Sequence, residues 1–427
     1  MIFVLFILLA VFIISGMEVA LALGISSIGA IIFGSDVLSL IVLPQRIIAT
    51  IARSWPLLAI PMFIMLGEIF QYGKIADRLI NVANIFFGRI PGALGIINIV
   101  ASFFFGGISG SASADTAAIG GIMIPAMVKD GYDSKFSTVV TITSSCLGPI
   151  VPPSVLTLLI AWVTELPVGA IFLAGYIPGF LLMLFLIIPT YLISIKRNYP
   201  RHEVPPFKSA IRVILNAIPA LITPIIIVAS IVFGLTTIIE ASAITVIYSL
   251  IVSFFLYKEL KVRDIPIILK KTVRMTSSIG LVLAFASGFS WLISYSQLPY
   301  ILAQQLSAFN LSPILFMIIS AIIYLFLGTF INPGAIVLMA MPVLFPAAVS
   351  LGINPYHFCM VSALSMVIGN VTPPVGLCLF IGCSISGDKI EEVSIALLPF
   401  FLAMLGAVLL IILFPNSVLW LPKLFGY

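Results

Sequence analysis

Two short runs, Ser145-Cys-Leu-Gly-Pro-Ile-Val-Pro-Pro-Ser154 and Gly369-Asn-Val-Thr-Pro-Pro-Val-Gly376, interrupt strongly apolar sequence. A proline inside a helix leaves the carbonyl four residues earlier without its donor. By that rule Pro152 frees Gly148, Pro153 frees Pro149, Pro373 frees Gly369 and Pro374 frees Asn370. Bare carbonyls with nearby hydroxyls or amides suit a small hard cation such as Na⁺, since they supply oxygen without burying a full charge. The nearest side-chain oxygens at breaks in the apolar segments belong to Ser109, Ser111, Asn332 and Thr372. Helix starts just beyond the breaks offer the complementary chemistry, because exposed amides and a positive dipole end hold a carboxylate. No Lys or Arg lies inside the apolar cores of the broken segments, so an anion there would be held by backbone, Ser, Thr and Asn. A single proline kink is ordinarily braced by neighbouring helices or water. The same defect twice argues for function.

Four acids lie in or beside apolar segments, Glu18, Glu68, Asp115 and Glu240. An ionised carboxylate there needs a partner or a pathway role. For Glu18 and Glu68 pairing or placement at a membrane edge is expected. Asp115 is read equally as a cap for a helix running from Thr116 or as part of an ion path. Enzymatic constellations are weak: His202 and His357 have no metal-ligand spacing, there is no Ser/His/Asp or Cys/His arrangement, and no phosphate-cradling loop supports ATP-driven transport. Cys146, Cys359, Cys378 and Cys383 sit in apolar runs and read as small buried hydrophobes.

The elements that carry these residues must be membrane helices. The chain is 62% hydrophobic and 8% charged, with a mean hydropathy of +1.28, which excludes a soluble globular protein. One integrated domain over 1–427 is expected. Spans are predicted near 2–16, 18–34, 54–72 and 92–106, then 116–128, a broken 136–164, and 168–195. The second half gives 213–235, 238–257, 275–296, a broken 313–349, a broken 358–383 and 393–414. The first stretch has no basic leader region and no cleavage pattern, so it reads as a retained span. Of 20 Lys and Arg, 11 fall in the connectors 196–212 and 258–274, which the positive-inside bias places in the cytoplasm. Short juxtamembrane clusters of this kind are orientation signals, not nucleic-acid sites.

Sliding the chain by 221 residues aligns Gly107 with Gly328, Pro125 with Pro346, Gly131 with Gly352, Gly148 with Gly369, and Pro152 and Pro153 with Pro373 and Pro374. Matched Gly and Pro are not what richness in leucine and isoleucine produces. The chain therefore reads as an all-α polytopic membrane protein with two structural repeats, about 46–195 and 267–415. Each repeat has a glycine-rich break, Gly106 to Asp115 or Gly328 to Gly334, and a Pro-Pro break. Paired repeats whose broken helices meet near the bilayer midplane are the build of secondary transporters, often with inverted topology. The shift alone does not say whether these repeats are parallel or inverted; inversion is the expectation.

Gly110-Ser-Ala-Ser-Ala-Asp-Thr-Ala-Ala-Ile-Gly120, Ile-Pro-Ala-Met at 124–127, Gly131-Tyr132, and Gly-Pro-Ile-Val-Pro-Pro-Ser at 148–154 together resemble the large membrane subunit of the tripartite ATP-independent periplasmic (TRAP) transporters. Gly369 to Gly376 is similar to that family's second hairpin region. The resemblance, which spans nearly the whole chain in its unfused form, implies an elevator-type importer with re-entrant hairpins in a bacterial inner membrane. It implies Na⁺ as coupling ion, a small four-span membrane subunit, and a periplasmic binding protein that delivers an organic acid. Carried over by position, the sodium sites would use Ser109, Ser111, Gly148, Val151 and Pro153, and then Gly328, Asn332, Gly369 and Thr372. Asp115, Ser145 and Asn370 are the candidate substrate contacts. The family's range covers C4-dicarboxylates, sialic acid and other 2-keto acids, with a lean to sialic acid. The competing classes are a stand-alone ion/dicarboxylate transporter or channel without a binding protein, and a membrane assembly protein that carries no flux.

Overall fold

A computed structural model describes residues 1–34, 40–53, 55–202, 206–298, 300–301 and 312–427. Residue 54, at the head of a predicted span, and residues 203–205 of the first basic connector lie outside the described residues. The first half runs α1 Ile2–Ile14, α2 Val19–Phe33, α3 Val42–Arg53, α4 Ala59–Tyr72, α5 Ile75–Phe87, α6 Ala93–Ser109, α7 Ala112–Lys129, α8 Ser134–Ser144, α9 Val155–Thr164 and α10 Val168–Lys196. The second runs α11 Phe207–Val232, α12 Ile238–Ile251, α13 Ile265–Tyr295, α14 Pro313–Phe330, α15 Pro333–Ser350, α16 Pro355–Gly369, α17 Leu377–Ser386, α18 Ile390–Leu413 and α19 Asn416–Leu424. Among the described residues seven helices are long and apolar enough to cross a membrane, and there is no strand.

The repeat is visible in the helix limits. Helix α7 and helix α15 begin and end 221 residues apart, and so do the starts of α8 and α16. Helices α6 and α7 fold back on one another, since the Asn98 amide meets Met127 Sδ at 3.8 Å. Helices α14 and α15 do the same, with the Tyr324 hydroxyl 3.2 Å from Met341 Sδ. By contrast, α8 and α9 do not fold back across their break, nor do α16 and α17, so each pair is one interrupted crossing.

These facts fix the relation between the repeats. Between Lys196 and the position 221 residues on, the described helices make an odd number of crossings, namely α11, α12, α13, the broken α16–α17 and α18. An odd number inverts the second repeat. Contacts at the two membrane edges agree: the Ser134 hydroxyl meets Asp388 at 2.7 Å and Lys135 meets Glu392 at 2.6 Å on the side of the basic connectors. At the opposite edge Phe233 and Phe425 lie 6.0 Å apart.

Five helices depart from the expected spans, for local reasons. Helices α1 and α2 have 13 and 15 residues, about 20 Å each, too short to cross the bilayer core singly. They form an antiparallel hairpin, because a Cβ on Gly34 would lie 3.1 Å from Met1 Cβ. Helix α13 starts ten residues before the predicted apolar segment: Pro266 stands in its first turn, and Lys270, Lys271 and Arg274, good helix formers, continue it through the basic connector. Helices α3 and α5 escape a search for apolar spans because they are amphipathic. The buried stripe of α5 is Ile75, Ala76, Leu79, Val82 and Ala83, with Asp77, Arg78, Asn81 and Asn84 between.

Candidate functional site

The two hairpin tips and the two Pro-Pro breaks converge. In the first repeat α6 ends at Gly110, whose φ of +60° makes the left-handed turn that glycine adopts without penalty. Ser111 then caps α7, accepting a hydrogen bond from the Ala114 amide at 3.4 Å, with its hydroxyl 3.1 Å from that of Ser113. A Cβ on Gly148 would lie 3.4 Å from the carbonyl carbon and oxygen of Ser111, and one on Gly110 would lie 3.4 Å from the Pro153 carbonyl oxygen. Ser109 is buried beside them, and its hydroxyl has no hydrogen-bond partner. Ser111, Gly148 and Pro153 thus come together, with Ser109 two residues before Ser111 and packed against Gly67 of α4; Val151 contributes backbone, its buried side chain facing Gly107 and Gly179.

The second repeat repeats the plan. Gly328 of α14 crosses Gly369 so closely that a Cβ on Gly328 would lie 2.9 Å from Gly369 Cα. The Gly376 amide donates to the Thr329 carbonyl at 2.9 Å, tying the break to the hairpin. The Thr372 hydroxyl donates to the Ile368 carbonyl at 2.7 Å, which leaves its oxygen lone pairs beside the unwound segment. Asn332 caps α15 by accepting from the Gly334 amide at 2.9 Å, and it stands at the tip, not at the Gly328–Gly369 crossing. Both Pro-Pro peptide bonds are cis.

Three of the four carbonyls expected to be free have donors. Pro149 accepts the Ser154 hydroxyl at 2.6 Å, Gly369 accepts the Thr372 amide at 2.9 Å, and Asn370 accepts the Cys378 amide at 3.1 Å. Removing a donor four residues on does not leave a carbonyl bare when the chain tightens into a turn or a cap reaches it. Only the Gly148 carbonyl accepts no hydrogen bond among the described residues. A carbonyl with one donor still has a second lone pair, so the other three keep coordinating capacity.

Asp115 is fully buried, its carboxylate among the Ser102 and Ser145 hydroxyls, with neither oxygen in hydrogen-bond alignment. It does not cap α7, because the turn at Gly110 starts that helix early enough for Ser111 to take the position. Ser145 is likewise buried and donates to the Thr141 carbonyl at 2.8 Å. Asn370 borders a cavity of about 340 Å³ walled by Ser111, Ser113, Pro149, Asn332 and Gly334 of the tips and breaks. Its far wall is Glu18, Val19, Ile64 and the Met275 to Val282 stretch of α13. Glu68 finds Lys271 at 3.1 Å, at ion-pair distance but out of hydrogen-bond alignment, and Glu240 closes a capping box with Thr237.

Sequence reasoning missed Thr329, Ser113, Ser154 and Ser102. A signal existed for Ser154, a serine just before an apolar run and three residues ahead of Thr157, whose amide it caps. It also missed a reciprocal exchange between the repeats. Helix α7 of the first hairpin packs on α17, with Gly120 beside Ile385, and α15 of the second packs on α9, with Gly334 beside Leu159.

Inverted repeats, fold-back hairpins and broken helices meeting at a polar centre, lined by no Lys or Arg among the described residues, define a secondary membrane transporter. The sequence matches, over residues 6–417, the family described as "Tripartite ATP-independent periplasmic transporter, DctM component", and the chain belongs to that family. It is 36% identical over 419 residues to the uncharacterized protein YgiK of Salmonella typhimurium, covering 96% of this chain and 94% of that one. It is 34% identical to the sialic acid TRAP transporter large permease protein SiaM of Vibrio cholerae, with 88% of each chain covered. It is 32% identical to the C4-dicarboxylate TRAP transporter large permease protein DctM of Rhodobacter capsulatus, with 99% of each covered. The match covers only 60% of the sialic acid permease SiaT of Haemophilus influenzae, which is a longer protein. Among solved structures the fold is similar to the YdaH transporter of Alcanivorax borkumensis, with a TM-score of 0.64, 15% identity and 92% and 90% of the two chains covered. It is also similar to MtrF of Neisseria gonorrhoeae, with a TM-score of 0.66, 13% identity and 95% and 94% covered.

Proposed function

We propose that this chain imports a small organic acid by coupling it to Na⁺ in a bacterial inner membrane. A small four-span subunit and a periplasmic binding protein that hands over the cargo complete the system. The observation that carries the reading is the first hairpin tip: a buried hydroxyl without a partner at Ser109, the Ser111 backbone against Gly148, and an unshared Gly148 carbonyl. An oxygen-only, uncharged cage of this kind fits Na⁺. Ser109, Ser111, Gly148, Val151 and Pro153 would hold one ion, and Gly328, Gly369 and Thr372 with Asn332 nearby a second. Bound ions would add positive charge beside the capped starts of α7 and α15, where the cargo carboxylate sits.

The hairpins and broken helices would move as one elevator body past the wall built from α2, α4 and α13. Identity does not choose the cargo, since relatives named for sialic acid, C4-dicarboxylates and ectoine match at 34%, 32% and 30%. Uptake into proteoliposomes containing the chain and its small subunit, with binding protein outside, is the test. Sialic acid, succinate and ectoine serve as labelled cargo, each with its own binding protein. Accumulation of one of them only under an inward Na⁺ gradient and only with all three components is the expected result. Uptake by the chain alone, or without Na⁺, refutes the tripartite sodium reading.

A further inference from the structure

The cavity between the hairpin tips and the far wall has an unusual charge pattern. Among the described residues that line it, Glu18 is the one charged side chain, and much of the remaining wall is apolar: Val19, Ile64, Leu156, Leu159, Ile279 and Leu338. Glu18 lies at the turn of the α1–α2 hairpin, directly before α2, and is exposed. It makes no side-chain cap bond and has no ion-pair partner among the described residues. An acid in a helix's first turn can reach back to the amide of the capping residue, as Glu240 does in accepting from the Thr237 amide at 2.8 Å. Glu18 does not, and its carboxylate is left to the cavity.

The opposite wall has the reverse polarity. Ser111 opens α7 and Asn332 opens α15, and Ser113 and Gly334 follow in their first turns, so amides and dipole ends face the same space. One end of the cavity thus attracts a carboxylate and the other repels one. The volume, about 340 Å³, lies at the lower end of the range for small-molecule pockets.

We infer that the cavity selects a monocarboxylate bearing a cationic or hydrogen-donating group on an apolar body, and that Glu18 is the residue that rejects dianions. This rests on the transport reading above. A second carboxylate on the cargo would be brought toward Glu18 with no cation on the wall to separate them. An ammonium or amidinium at the same place would gain what the carboxylate loses. At a partly solvated site the difference between such cargoes is about tenfold in affinity.

The test uses three probes of similar length, 4-aminobutyrate, butyrate and succinate, with sialic acid as a bulky neutral-tailed monocarboxylate. Binding to the purified full-length chain is measured by calorimetry in Na⁺ and in K⁺ buffers. In wild type, 4-aminobutyrate is expected to bind about tenfold more tightly than succinate, with butyrate between, and Glu18→Gln is expected to collapse that spread. Succinate binding as tightly as 4-aminobutyrate in wild type overturns the inference without needing the variant. An unchanged spread in Glu18→Gln overturns it as well. Sodium-dependent binding of sialic acid that exceeds 4-aminobutyrate and ignores Glu18→Gln overturns the inference but leaves the transport reading standing. Absence of sodium-dependent binding for every acid overturns both.

Discussion

The glycine crossings offer the sharpest test of the geometry. A Cβ added to Gly106 would lie 2.6 Å from Gly148 Cα, 2.8 Å from its nitrogen and 3.2 Å from the Leu147 carbonyl carbon. All three neighbours are backbone, so no side chain can swing away. The hairpin arm and the first break would have to part by about 0.8 Å to restore an ordinary carbon–carbon contact. Overpacking of this kind costs about 1–3 kcal/mol. The converse substitution differs: a Cβ on Gly148 meets Ser111 and Ser145 atoms at 3.4 Å, an ordinary contact. In the second repeat both partners are tight, since a Cβ on Gly328 would run into the Met366 carbonyl oxygen and one on Gly369 into the Leu325 carbonyl oxygen, both backbone atoms. Thermal unfolding of detergent-purified variants, followed by fluorescence-detected size exclusion, should therefore rank Gly106→Ala, Gly328→Ala and Gly369→Ala well below wild type. Gly148→Ala should stay close to it. A Gly106→Ala protein as stable as wild type, or a Gly148→Ala protein as damaged as the other three, refutes the crossing geometry.

Ser111→Ala and Thr372→Ala are expected to raise the Na⁺ concentration for half-maximal uptake severalfold at normal expression; unchanged sodium dependence in both removes these hydroxyls from the sites. Asp115→Asn keeps the size of a buried carboxylate without its charge, so it should preserve the unfolding midpoint while lowering uptake at least about tenfold if that charge serves ion movement. Equal uptake by the variant assigns Asp115 to packing alone. Lys271→Met leaves Glu68, the more buried partner, without its cation and should lower the midpoint, whereas Glu68→Met with Lys271→Met should restore much of it. A double variant no better than the single one contradicts the pairing.

What the sequence disclosed depended on whether a signal was local. Gly148, Gly369 and the Pro pairs announce themselves because proline and glycine in apolar sequence have few harmless explanations. The 221-residue shift placed α15 on α7 end for end. Inversion was beyond the shift alone, because it depends on how many helices cross between equivalent points. The capture of the Asn370 carbonyl by the Cys378 amide, eight residues on, depends on how the chain bends after Pro374, which no periodicity encodes. Helices α3 and α5 were missed for the opposite reason, since a half-polar stripe is weak evidence in a chain whose crossings are continuous apolar runs. Glu18 was visible as an acid beside a span, yet its place on a cavity wall needed the fold-back of α1 on α2 and the approach of α13.

The exchange between the repeats also bears on how the protein is made. Helix α7 finds its seat on α17 and α15 finds its seat on α9, so neither hairpin is fully supported by its own half of the chain. While the ribosome is still threading the second half into the bilayer, the first hairpin has lost water and not yet gained its neighbour. Its serines and glycines must wait, close to nascent by themselves, for a segment encoded far downstream. A message cut after α10 would leave the first hairpin without the α17 surface that α7 packs on, an unpaired face of the kind that invites misassembly.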